Sequence, residues 1–177
     1  MKYLVWYVAL LISWSANAQQ FTPVDERSAV QFIITNLGFD VTGTFNGLQG
    51  TVWFDEKNLG SSSVNVTVNA ASIDTDNSTR DKHLRGSNYF HVNAFPQIRI
   101  ASVKIAKSVT PGYYVLFAKL TIKETTKDIS FPFTAMPETG AYRFIGEFSI
   151  KRRDFGIGGK NTISNGLKVK LNVLTKK

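Results

Sequence analysis

Along most of this chain apolar and polar residues alternate with a period of two in short runs, which restricts those runs to strands with one dry face and one wet face. Val64, Val66, Val68 and Ala70 alternate with Asn65, Thr67 and Asn69. Leu167, Val169, Leu171 and Val173 alternate with Lys168, Lys170 and Asn172. Tyr142, Phe144, Phe148 and Ile150 stand against Arg143, Glu147 and Ser149. Weaker copies cover Val30 to Asn36, Thr42 to Leu48, Thr51 to Asp55, Gln97 to Ile105, Tyr113 to Lys123 and Asp128 to Ala135, punctuated by Gly, Pro, Asn or Ser. Roughly eight or nine short half-buried strands in one domain leave only an all-β sandwich or barrel.

One stretch breaks the alternation. Ser78-Thr79-Arg80-Asp81-Lys82-His83-Leu84-Arg85 is built of helix formers, with Asn77 or Ser78 as N-cap and Gly86 as a stop, and predicts a short helix. Thr35 to Phe39 reads as a second helical turn or as a loop. No internal repeat or linker interrupts the rest, so 177 residues are assigned to one folding unit.

The first residues are set apart from that unit. Lys2 precedes an apolar run from Tyr3 to Ile12, and Ala16-Asn17-Ala18 supplies the small residues of an A-x-A cleavage site. Residues 1–18 are therefore expected to be a cleaved secretory signal, and residues 19–177 the mature domain, periplasmic or secreted and free of the membrane. Exported chains often carry disulfides, but this one has no cysteine, so packing and hydrogen bonds alone must hold it. Loss of Lys2 with the signal lowers the formal charge from +8 to +7. Basic residues are scattered singly, apart from Lys151-Arg152-Arg153 and Lys176-Lys177, which reads as a solvated polar face and not as a nucleic-acid surface.

Periodicity does not separate a sandwich from a barrel, so the size of the dry-face residues is brought in. Gly43, Gly47, Ala70, Ala118, Ala135 and Gly146 lie among the large inward residues. Small residues in such places suit side chains that line a space without filling it, although glycine in a strand also marks bulges and bends. A barrel of about eight strands can hold one small ligand, as lipocalins do. Both architectures stay open at this point.

The inventory for catalysis is thin. His83 and His91 are the only histidines, and their spacing matches neither the helical nor the strand spacing that would aim both at one metal ion, so no metal site and no catalytic residue is assigned. Asp154-Phe155-Gly156 and Gly156-Ile157-Gly158-Gly159 lack the surroundings of a kinase triplet and of a phosphate loop, and the latter reads as a wide turn. What remains is apolar. Phe32, Ile34, Phe45, Phe54, Val66, Val68, Ile98, Ile100, Leu116, Leu120, Phe131, Phe133, Phe144, Phe148 and Leu171 fall on the dry faces and would converge in a closed sheet, as a packed core or as the wall of a cavity.

An ordered set of short blocks resembles the YceI-like family. The blocks are Asn36-Leu37-Gly38-Phe39, Gly43-Thr44-Phe45-Asn46-Gly47-Leu48-Gln49-Gly50, Ser72-Ile73-Asp74-Thr75, Arg80-Asp81-Lys82-His83-Leu84-Arg85, Tyr89-Phe90, Phe95-Pro96, Leu120-Thr121-Ile122-Lys123 and Asp154-Phe155-Gly156-Ile157-Gly158. The resemblance implies a single antiparallel lipocalin-like β-barrel of about eight strands with one or two short helices. It further implies an apolar cavity that binds an isoprenoid lipid, either an isoprenoid quinone or a polyprenyl chain, without catalysis and with no required cofactor. The mouth is expected near the helix and the Asp154 to Gly159 loop, where His83, Arg85, Tyr89 and Asp154 would meet a polar head. Transient membrane contact and a homodimer through exposed strand edges are further expectations. A protein-interaction or inhibitor domain on the same scaffold, and an enzyme acting on the bound lipid, are the alternatives.

Overall fold

The computed structural model describes residues 18–160 and 162–177, so the expected signal segment lies almost entirely outside the described residues. Among the described residues the chain is all-β with one α-helix. Ten strand segments, β1 (Gln19–Pro23), β2 (Ala29–Asn36), β3 (Phe39–Phe45), β4 (Gln49–Phe54), β5 (Ser63–Asn69), β6 (Gln97–Lys107), β7 (Tyr113–Ile122), β8 (Thr125–Glu138), β9 (Ala141–Lys151) and β10 (Ile163–Lys176), form one antiparallel sheet. The helix, α1 (Ser78–Arg85), lies between β5 and β6 and occupies the stretch its composition predicts.

Ten segments make eight staves. β1 pairs with β4 through Phe21 and Val52, and β2 pairs with β3 through Val30 and Phe45, so β1–β2 and β3–β4 are the arms of one long hairpin, each broken once in the middle. From β4 each strand pairs with the next as far as β10. β10 then returns to the first arm, meeting β2 at Val30 through Leu171 and β1 at Thr22 through Lys176. The ring is thereby closed as a simple meander, which resolves sandwich against barrel in favour of the barrel.

The two breaks face one another and share one residue. Asp25, in a short 3-10 turn between β1 and β2, accepts hydrogen bonds from the Gly47 and Leu48 backbone N–H groups, each at 2.8 Å, in the gap between β3 and β4. A charged acceptor here replaces the ladder bonds that the kink removes. Beside it the Ser28 hydroxyl donates to Val24 O at 2.7 Å, and Leu174 N donates to Ser28 Oγ at 3.1 Å. Just beyond the break Gly50 has φ +128°, and a Cβ there would lie 2.2 Å from the Asn65 carbonyl oxygen, so β5 can approach only a glycine.

Two expectations are corrected. Of the two readings of Thr35 to Phe39 the helical turn fails and the loop holds: Asn36 pairs with Phe39, and Leu37 and Gly38 form a two-residue hairpin turn with φ +51° and +85°. Lys151-Arg152-Arg153 is not a wholly solvated run, because Arg152 is buried. Among the described residues no helix is long and apolar enough to cross a membrane.

Replacing Asp25 by Ala leaves two amide donors at the break without their acceptor. The expected loss is about 2 kcal/mol in urea unfolding, against a change within about 0.5 kcal/mol for Glu26→Ala, which alters an exposed neighbour.

Candidate functional site

The barrel is filled at one end and hollow at the other. At the end carrying the β4–β5, β6–β7 and β8–β9 connections, rings meet on the axis. Phe54 stands edge-on to Tyr114, Tyr142 and Phe144, with centroids 5.2 to 5.3 Å apart, and Phe133 lies at 6.5 Å. Phe21, Val52, Ile105, Leu116 and Phe131 complete this packing, all buried. Burial first, and the charge of Glu56 second, push the Tyr114 and Tyr142 hydroxyls above the usual tyrosine range.

Toward the other end the inward positions are mostly aliphatic. Val30 and Ile34 of β2, Val66 and Val68 of β5, Ile98 and Ile100 of β6, Leu120 and Ile122 of β7, Ile150 of β9 and Leu167, Val169, Leu171 and Val173 of β10 surround a cavity of about 540 Å³. Phe32, Phe45 and Phe148 are the phenylalanines nearest it that contribute to the wall with Phe90. An eight-stranded barrel is just wide enough for its side chains to fill, so aromatic rings reach the axis where branched aliphatics stop short. The volume falls within the range of small-molecule sites.

Ten residues of the expected apolar set line this cavity: Phe32, Ile34, Phe45, Val66, Val68, Ile98, Ile100, Leu120, Phe148 and Leu171. Phe54, Leu116, Phe131, Phe133 and Phe144 do not, because they sit in the filled half and contact one another instead of empty space. The small residues are also placed differently from expectation. A Cβ on Gly43 would lie 2.3 Å from Phe32 Cζ, and one on Gly146 would lie 3.1 Å from Phe131 Cε2 and Phe133 Cβ. These glycines seat aromatic rings, and none of the six small residues lines the hollow.

The open end is built around an unfinished sheet. β3 pairs with β2 on one side, but among the described residues its other edge pairs with no strand and is bridged by Asp74, which exchanges two backbone hydrogen bonds with Thr44 at 2.8 and 3.1 Å. Residues 70–96 cover the gap, and Ile73, Leu84 and Phe90 pack against Phe45, Val68 and Ile98. Polar bonds fix α1 there. The Asn77 side chain caps it by accepting from Arg80 N at 2.9 Å. Asp81, buried, accepts from Thr75 N at 3.1 Å and from Thr75 Oγ1 at 2.5 Å, while Arg80 donates to Thr75 Oγ1 at 2.7 Å.

Of the expected mouth residues, His83 and Tyr89 line the cavity, joined by Asn77, Thr79 and Arg80. Asn77, Thr79 and His83 are exposed, so the cavity reaches the surface at this rim. Arg85 does not line it. Residues two apart on a helix face different ways, and Arg85 instead donates to the Ala71 and Ile73 carbonyls, each at 2.7 Å. Asp154 is exposed in the 3-10 turn after β9 and lies outside the wall. Arg152 enters in its place. It donates to the carbonyls of Ile157 at 2.7 Å, Ser164 at 2.9 Å, Ile163 at 3.0 Å and Gly159 at 3.1 Å, and burial holds its guanidinium below the usual arginine range. Its signal was present in the sequence: Phe148, Ile150 and Arg152 share the inward parity of β9.

A family model described as a YceI-like domain matches residues 21–175, nearly the whole described chain. The chain belongs to the YceI-like family. It is similar to a UPF0312 protein of Pectobacterium atrosepticum, 34% identical over 149 residues, covering 80% of this chain and 77% of that one. Among solved structures, Burkholderia cenocepacia BcnA superimposes with a TM-score of 0.81 at 22% identity, covering 86% of this chain and 98% of its own. A polyisoprenoid binding domain from Saccharophagus degradans, implicated in plant cell wall breakdown, has a TM-score of 0.67 at 12% identity and covers 88% and 97%. At those identities the structural likeness establishes the YceI-like fold alone.

The rim of the YceI-like barrel depends on Arg152 for its shape, since one side chain ties together the ends of the loop from 152 to 164. Arg152→Met should cost about 3 kcal/mol in urea unfolding, because the buried Ile157 carbonyl and three part-buried hydrogen bonds lose a charged donor, and should speed amide exchange in that loop. Arg153→Met, on the exposed neighbour, should do neither.

Proposed function

We propose that this protein binds and carries an isoprenoid lipid, an isoprenoid quinone or a polyprenyl chain, with the tail in the hollow half of the barrel and the head at the rim. The observation that carries the reading is the division of the tube: an aliphatic cavity of about 540 Å³, stopped at one end by the Phe54 cluster and open at the other beside α1. A blind apolar tube with a polar mouth suits an elongated molecule that is greasy along its length and polar at one end. Each CH₂ moved from water contributes about 0.8 kcal/mol before the cost of ordering a flexible tail is subtracted. The polyisoprenoid binding domain of the same fold supports this ligand class.

The reading is one of binding without turnover. Catalysis on a bound lipid would draw on His83 with a carboxylate, yet Asp81, the buried acid of that helix, is already bonded to Thr75. Among the described residues no carboxylate stands within 4.0 Å of a histidine ring nitrogen. At the rim, Arg80, His83 and Asn77 offer hydrogen-bond donors to a head group that carries acceptor oxygens. The periplasm is the proposed place of work, in keeping with the leader-like first 18 residues.

Native mass spectrometry of the purified protein, followed by denaturation, should release an isoprenoid lipid. Val169 pairs with both Phe32 and Phe148 across the cavity wall, so Val169→Trp fills the hollow and should weaken uptake of a quinone or polyprenol at least about tenfold while the protein stays folded. A protein that neither releases nor takes up such a lipid, or a Val169→Trp variant that binds as well as the parent, overturns the reading.

A further inference from the structure

The tip of the β2–β3 hairpin has a composition that folding does not explain. Leu37 is 69% exposed and Phe39 77% exposed, so neither is buried in the core. Leu37 also sits at φ +51°, ahead of Gly38 at φ +85°. A two-residue turn with both central residues at positive φ prefers Asn-Gly, because a branched apolar side chain is strained in the left-handed region. Leucine here is thus unfavourable twice over, as backbone and as exposed surface.

The position of the tip gives it a use. Asn36 and Val41, on either side of the two exposed residues, both line the cavity, so the hairpin stands at the mouth. Thr162 Oγ1 donates to Asn36 Oδ1 at 3.0 Å and ties the tip to the β9–β10 loop, which carries the exposed Arg153 and Lys160. Exposed Lys82 on α1 lies at the same end. Asp40, next to Phe39, is engaged by the Thr35 hydroxyl at 2.9 Å. Acids are present too, at Asp74, Asp76, Glu124 and Asp154, so the local charge is mixed and the formal charge left after loss of the leader with Lys2, +7, supplies the long-range attraction to an anionic surface.

We infer that Leu37 and Phe39 are a membrane-docking wedge: the hairpin inserts its tip into the interface of an anionic phospholipid bilayer and brings the cavity mouth against the lipid. Two exposed apolar side chains on one tight turn, on a chain of net positive charge, can enter the headgroup region without any helix crossing it. This gives the carrier a direct route for a water-insoluble cargo. The purpose rests on the lipid-carrier reading, but the docking itself does not.

The test is co-sedimentation of the purified protein with vesicles of equal parts phosphatidylethanolamine and phosphatidylglycerol, free of isoprenoid lipid. Leu37→Asn with Phe39→Ser suits the turn better than the native pair and keeps the fold; it should weaken vesicle binding about tenfold or more. Val109→Ser, at a fully exposed valine in the β6–β7 loop of the opposite end, should leave binding unchanged. Phe39→Trp should show a blue-shifted emission quenched by brominated acyl chains. No vesicle binding by the parent protein, equal binding by the hairpin variant, or a tip that proves to be covered in a dimer overturns the inference. Quinone uptake from detergent solution, measured in parallel, reports the cavity alone, so a failed wedge with intact uptake and a failed cavity with intact docking are told apart.

Discussion

Closure of the sheet is the constraint from which the rest follows. Once eight staves join through β10 and the first arm, the width of the interior is set by strand number and tilt, and no later adjustment of side chains can change it. What remains to be chosen is how far each inward side chain reaches. Rings at Phe54, Tyr142, Phe144 and Phe133 reach the axis and close the tube. Valines, isoleucines and leucines in the other half leave a hollow whose wall is mostly apolar. The division between plug and cavity is therefore written as a gradient of residue size along the strands, not as a scatter of glycines.

A closed barrel with a broken first hairpin and an open, hollow end must still satisfy its backbone at both places. Three devices do so, each with charged or polar side chains turned inward upon the main chain. Asp25 serves the amides at the broken hairpin, Asp81 and Arg80 converge on Thr75 to hold α1, and Arg152 collects carbonyls from the loop after β9. Unpaired buried backbone groups are costly, and charged partners are among the stronger ways to pair them. Thr75, Arg80 and Arg152 among these groups line the cavity, so the side chains that hold α1 and the loop after β9 also set the polarity of the rim.

Most of the staves were legible from period two, because a strand half in water and half in a core cannot be written any other way. The helix was equally legible: Asn77, the run to Arg85 and Gly86 occupy the cap, body and stop that they predict. The short β1 was not, since Gln19–Pro23 is too brief to show alternation and is a strand only because β4 and β10 accept it. The turn at Leu37 escaped for a related reason: its sequence lacks the Asn-Gly of its geometry, and the pairing on either side imposes the conformation. Tertiary registration overrides local preference in both places.

The sequence by itself determined that this is an all-β chain with a helix at Ser78–Arg85, which faces of its strands are dry, and through its ordered blocks the family to which it belongs. Those are properties of spacing, and spacing is local. Only the tertiary structure decided which dry residues face a void and which face each other, because Phe131 and Phe148 stack with their centroids 4.7 Å apart, yet Phe148 borders the hollow and Phe131 does not. It also decided which carbonyls the inward-facing Arg152 serves and that Arg85 does not face the cavity, since each side chain goes where backbone groups distant in sequence need a donor. Whether an inward side chain meets emptiness depends on how far its neighbours across the barrel extend, and that distance exists only once the sheet has closed.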